Sequence, residues 1–265
     1  MSTNMQHVYW AGGHVLMFIT GLRYLLAWAV FKSGALGYWY KAAFTGAFIS
    51  YAIVVKKSLG IPSSADWFTR ALADENFQYF GLCIFWLISK PVGIALIPYW
   101  TFSAFHVATF VRTTVIPKFF PPTPGANGGP SQPSPIAKMI QSFVKQYYDP
   151  SMKLVAYVEL AIFARVLFGL LLWRNSLLMP IIYALFLRSR YFQSPFTRQA
   201  FASLDAAILQ GIQHPQISGS VPQLKTYYDM FKEYLGRATG TVLVRADAPP
   251  KPAPAAAAGT SGATH

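Results

Sequence analysis

The stretch Leu82–Trp100, LCIFWLISKPVGIALIPYW, sets a Lys-Pro pair inside an otherwise apolar run. From Phe77 to Val111 the only formal charge is Lys90. A straight helix over that run would be about 52 Å long, against a hydrocarbon core of about 30 Å. One straight span is therefore excluded. Pro91 lacks a backbone donor and disfavours helix at Lys90. Ser89, Lys90 and Pro91 are read as a hairpin break, with Ser89 expected to cap the second arm. The second arm, 91–111, reaches about 31 Å and can span, whereas the first, 77–89, reaches only about 20 Å. Such a hairpin fills one leaflet more than the other and favours curvature. A shallow re-entrant turn is the alternative.

The rest of the chain repeats the pattern. Hydrophobic residues make up 54% of it and charged residues 12%, against roughly 25% charged in ordinary globular proteins. Six apolar segments, about 11–31, 35–55, 77–89, 91–111, 154–173 and 176–187, are joined pairwise by short connections. The expected fold is all-α: a polytopic helical membrane protein of about three helical hairpins, with cytosolic amphipathic helices beside it. Five regions follow. Residues 1–116 hold two hairpins, and 117–135 is a Pro/Gly-rich flexible loop. Residues 136–192 hold an amphipathic helix and the third hairpin. Residues 193–245 hold C-terminal amphipathic helices, and 246–265 is a disordered tail.

Charge orients the hairpins. Of 22 Lys and Arg, sixteen lie on the side of both termini and only Lys32, Lys90 and Arg174 lie at the tips. The positive-inside rule then makes both termini cytosolic. The net charge of +13 is read as basic loops facing anionic lipid headgroups, and nucleic acid is excluded because the basic residues are scattered singly. The single cysteine, Cys83, forms no intrachain disulfide.

Three segments have surface-helix patterning. Ser134 is the expected N-cap of a helix carrying Ile136, Ile140 and Phe143 on one face. Residues 195–212 place Phe196, Phe201, Leu204 and Ile208 on one face, and a helix opened by a Ser220/Gln223 capping box places Leu224, Tyr228 and Phe231. Each face is read either as membrane-facing or as packed on the protein's own membrane domain.

Catalytic chemistry finds little footing. The five histidines lack metal-ligand spacing, and no phosphate loop, nucleophile elbow or zinc motif occurs. No cofactor is expected and the chain is read as a non-enzyme. His106 is read as a histidine hydrogen-bonded within the bundle. Arg23, Lys41, Glu159 and Arg165 lie within apolar segments. Such charges are functional candidates by default. Lys41 is close enough to a tip to snorkel, and Glu159 is expected to pair with a basic residue on another helix. Ala42, Gly46 and Ser50 recur every four residues and suit close helix packing.

Three stretches also carry a likeness. ALADENFQY supplies Ala71, Leu72, Asp74, Glu75 and Tyr79; KPVGIALIPYWTFSAFHVATF supplies Pro91, Val92, Pro98, Phe102, His106, Ala108 and Thr109. IYALFLRSRYFQSPFTRQAF supplies Ile182, Tyr183, Phe186, Leu187, Arg190, Tyr191, Pro195, Arg198 and Phe201. Over roughly residues 60–205 the chain resembles the transmembrane protein 33 family of the endoplasmic reticulum and nuclear envelope, which includes fungal pore-membrane proteins. The resemblance implies a non-enzymatic, multi-pass protein of those membranes that shapes tubular reticulum or organises nuclear pores. It implies reticulon-type or nuclear pore membrane proteins as partners, and a homo-oligomer stays open. The alternatives are an adaptor that binds other membrane proteins without bending membrane, and a transporter that uses the intramembrane charges.

Overall fold

The computed structural model describes residues 3–62, 64–121, 132–173 and 176–240, and no strand forms among them. The chain is an all-α polytopic membrane protein. The helices are α1 (Thr3–Ala29), α2 (Gly37–Leu59), α3 (Ala65–Ala73), α4 (Glu75–Ile88), α5 (Leu96–Phe110), α6 (Ile116–Phe119), α7 (Pro135–Leu171), α8 (Leu178–Gln193), α9 (Pro195–Gln213), α10 (Pro215–Ser220) and α11 (Leu224–Thr239). They fall into two compact units that divide between Tyr183 and Ala184. Three helical runs are long and apolar enough to cross a membrane: Gly37–Leu59, Gly93–Phe119 and Pro135–Leu171.

The Lys-Pro interruption breaks the chain. α4 stops at Ile88, Ser89 and Val92 are extended, and helix resumes as a 3-10 turn at Gly93–Ala95 leading into α5. Ser89 closes α4 and does not cap the second arm, because the restart lies four residues beyond it. With 14 residues, α4 is about 21 Å long and shorter than the hydrocarbon core. The second arm continues past Phe110 through a π-helical turn, Val111–Val115, into α6. Pro117 follows that turn, and a widened turn relieves the clash of a proline ring with the preceding carbonyls.

In the first unit α1 packs most extensively on α2; α5 lies on α1 and α7, and α4 on α2. The α1–α2 crossing is close. A Cβ on Gly46 would meet the Gly13 carbonyl oxygen at 2.5 Å, and one on Gly13 would meet the Gly46 carbonyl oxygen at 2.6 Å. Ser50 Oγ donates to the Trp10 carbonyl across the same seam at 2.9 Å.

α7 differs from its sequence reading. The expected amphipathic segment and the apolar segment after it form one helix of 37 residues with Pro150 inside, about 55 Å long and well beyond a membrane core. Ser134 does cap it, accepting from the Ala137 amide at 3.3 Å. The expected loop is helical as far as Phe119 and its core lies outside the described residues, as does the expected tail.

α1 and α7 end alike. Phe31 and Trp173 both adopt left-handed backbone, φ 57° and 56°, where glycine is usual. In α1 the Phe31 and Lys32 amides donate to the Trp28 and Ala27 carbonyls. Both aromatic side chains are almost fully exposed, at 97% and 95%.

Candidate functional sites: the bundle interior, its tip, and the C-terminal helices

The interior is unusually polar for its burial. Glu159 of α7 is 1% exposed and accepts from the Tyr79 hydroxyl of α4. Tyr99 of α5 donates to the Tyr79 carbonyl at 2.8 Å, and the rings of Tyr51, Tyr79 and Tyr99 lie against one another. Asp74 starts α4 by accepting from the Phe77 amide at 2.9 Å, which fixes the turn that presents Tyr79. Further along α1, buried His14 meets Ser103 Oγ through Nδ1 at 3.0 Å. The His106 ring lies tilted beside it, ring centroids 4.4 Å apart, with Trp10 against both. No group of three potential metal ligands occurs among the described residues. These contacts tie α1, α2, α4, α5 and α7 together.

Half-buried Lys41 extends toward the hairpin tip. Its ammonium donates to the Leu87 and Ser89 carbonyls and so caps the C-terminus of α4, where carbonyls lack intrahelical partners and the dipole favours a cation. This joins the start of α2 to the break at Lys90 and Pro91, a role hydropathy could not disclose. Arg23 lies over the Trp39 ring at 6.0 Å.

Arg165 lies at this same end, here called the tip, where α1, α4 and α7 finish and α2 and α5 begin. It lines a cavity of about 310 Å³ together with Tyr24, Trp28 and Ser33 and the Pro91–Ile94 turn. Gly93 makes the wall: a Cβ there would meet the Trp28 indole at 2.5 Å.

The expected surface faces are placed as follows. Ile136 and Phe143 are exposed and Ile140 is half-buried, while the inward residue of that turn is Ala137. On α9, Leu204 and Ile208 are exposed, and Phe196 and Phe201 are half-buried. α11 starts at Leu224 without a capping box, because Ser220 ends α10 and its hydroxyl turns back to the Gln216 carbonyl. Leu224 and Tyr228 are half-buried. Tyr228 turns to α9, donating to Asp205 Oδ1 at 2.8 Å, and Lys232 reaches the same oxygen at 3.1 Å. Burial, and then the adjacent Asp205 carboxylate, pushes the Tyr228 phenol above its ordinary value. Phe231 is exposed with Tyr227, Met230 and Tyr234, the last at 73%. The spacing 227, 230, 231, 234 is one helical face, so Phe231 parts from Leu224 and Tyr228, with which the sequence reading groups it.

Arg190, Tyr191, Pro195 and Arg198 form the elbow between α8 and α9. Arg190 and Tyr191 are buried, and the Tyr191 ring meets Phe201 edge-on at 5.6 Å. Ser194 caps α9 by accepting from the Thr197 amide, and Pro195 takes the first helical position, where no amide is needed. Arg198 donates to the Tyr191 and Phe192 carbonyls, both at 3.1 Å, covering the exposed end of α8. Arg198→Ala is expected to cost about 1.5–3 kcal/mol, the usual range for charge-assisted bonds to carbonyls. It should speed amide exchange across residues 191–197, with Arg198→Lys in between. Unchanged exchange in Arg198→Ala would show that the elbow does not depend on this fork.

A family model described as Transmembrane protein 33/Nucleoporin POM33 matches residues 1–229. Among curated relatives, Nucleoporin POM33 of Chaetomium thermophilum is 36% identical over 84% of this chain and 82% of its own length. Tetra-spanning protein 1 of Schizosaccharomyces pombe is 33% identical, covering 88% and 84%. Pore membrane protein of 33 kDa of Saccharomyces cerevisiae is 29% identical, covering 86% and 81%. No solved structure matches.

Proposed function

The chain belongs to the transmembrane protein 33/nucleoporin POM33 family, and on that premise we propose that it is a non-enzymatic protein of the endoplasmic reticulum and nuclear envelope that shapes or organises membrane. Two relatives are named for the nuclear pore or its membrane. The observation that carries the reading is the α11 face of Tyr227, Met230, Phe231 and Tyr234, left exposed while Tyr228 and Lys232 hold α9. An exposed aromatic face beside basic residues suits the headgroup boundary of an anionic bilayer. The short α4 is the second part: a helix of about 21 Å fills one leaflet more than both. The excess of basic residues outside the expected hairpin tips supports a cytosolic placement of both termini.

An adaptor reading is favoured by one feature. Lys225 pairs with Asp229 at 2.7 Å and Arg237 pairs with Glu233, so the polar face of α11 is internally neutralised. That leaves less charge for lipid and makes the aromatic face equally suited to a membrane protein of the reticulon or nuclear pore class.

Reconstitution separates the readings. The full chain in liposomes with anionic lipid is expected to produce tubules or small vesicles by electron microscopy. Changing Tyr227, Met230, Phe231 and Tyr234 together to serine should abolish the effect while leaving the protein inserted. Round liposomes with the unaltered chain, together with a co-purifying membrane protein lost in the serine variant, would favour the adaptor.

A further inference from the structure

We infer that the tip cavity binds the phosphate headgroup of an anionic phospholipid, with Arg165 as its counter-ion. Arg165 sits in the apolar C-terminal half of α7, six residues before Leu171, which puts it about 9 Å inside the helix end. Its side chain is exposed, and a cation at that depth reaches for the membrane interface, an anionic partner or a wet cavity. No salt bridge among the described residues involves it.

The sequence withholds such a partner at this end. The described residues around the tip fall within 3–62, 76–121 and 160–173, stretches that contain no Asp or Glu. The nearest acid along α7, Glu159, is buried against Tyr79. Lys32, Lys41 and Lys90 add cations to the same end. What Arg165 faces instead is a cavity of about 310 Å³, within the range that holds small ligands. Tyr24 and Ser33 supply hydroxyls there, and Gly93 opens a helical run whose first amides lack intrahelical partners. Trp28 supplies an apolar wall for the glycerol and first methylenes. Phe31 and Trp173, both almost fully exposed at the ends of α1 and α7, suit the aromatic belt at a headgroup boundary. A guanidinium lining a pocket there presents the planar donor set that suits a lipid phosphate.

Native mass spectrometry of the full chain in neutral detergent tests the site. Dioleoyl phosphatidylglycerol is expected to bind at about a tenfold lower concentration than dioleoyl phosphatidylcholine, the size of one good charge-assisted bond. Arg165→Gln should bring the two lipids to parity, with lipid-free thermal unfolding unmoved. Arg165→Lys, which keeps the charge but loses the fork, should keep part of the preference, as should Tyr24→Phe. A preference that survives Arg165→Gln intact overturns the assignment. If Arg165→Gln does not fold, an undiminished preference in Arg165→Lys does the same. Displacement of the lipid by inorganic phosphate at equal concentration assigns the cavity to free phosphate and overturns the lipid assignment.

Discussion

Gly46→Leu is expected to abolish a folded, monodisperse chain. The atoms that a side chain at 46 would strike are backbone: the Gly13 carbonyl oxygen at 2.5 Å and the Met17 amide nitrogen at 2.7 Å. Backbone in the middle of a helix cannot swing aside as a side chain can, so α1 and α2 must separate. Ordinary overpacking costs about 1–3 kcal/mol, and this case belongs above that range. Separation also breaks the Ser50 bond to Trp10 and opens the seam of the most extensive helix pair in the first unit. Gly13→Leu should behave in the same way, since its Cβ would meet Ser50 Oγ at 2.3 Å. Gly12→Leu is the control, because nothing lies within 4 Å of a Cβ there. The measurement is size-exclusion elution in mild detergent with a thermal melt. Wild-type elution and melting for Gly46→Leu would mean that the close crossing is not what holds α1 to α2.

The Gly46 case also marks where sequence legibility ends. The four-residue recurrence of Ala42, Gly46 and Ser50 pointed to a packing face, but nothing local named Gly13 as its partner, because the match depends on the register between two helices. The Lys-Pro break was legible for the opposite reason: proline acts on its own backbone, so chain chemistry alone ends α4 near Lys90. Caps divide along the same line. Ser134 and Ser194 are each followed by proline and both cap, whereas Ser220 has the capping-box spacing yet ends a helix. There α10 claims the residue first, since Pro215 starts a helix just upstream. Pro150 shows the opposite: a single proline removes one amide donor, and α7 carries through it. On α11 the sequence reading sets Tyr228 and Phe231 on one face, and the structure turns them apart. The choice is made by Asp205, 23 residues away on α9, and the aromatic face left outward is the one assigned to function.

The buried carboxylate gives the second large effect. Glu159→Ala is expected to destabilise the membrane domain by about 2–5 kcal/mol, combining a cavity with the loss of the bond from the Tyr79 hydroxyl. Glu159→Gln keeps the volume and an oxygen that can accept from that hydroxyl, so it should lose less than the alanine variant. Tyr79→Phe removes the donor alone and leaves a carboxylate at 1% exposure short of a bond, which should cost about 1.5–3 kcal/mol. Thermal unfolding in detergent reads all three. The ordering separates a structural acid from a transporting one. If Glu159 carries ions or protons, Glu159→Gln should silence a flux in proteoliposomes while the chain remains as stable as wild type. If it holds α4 to α7, any change in behaviour should track the folded fraction, and Tyr79→Phe should reproduce part of it without touching the acid. The geometry favours holding: the Tyr79 carbonyl is itself engaged by Tyr99, so one residue links α4 to α5 and to α7. A silent, fully stable Glu159→Gln would reverse that assignment and restore the transporter reading.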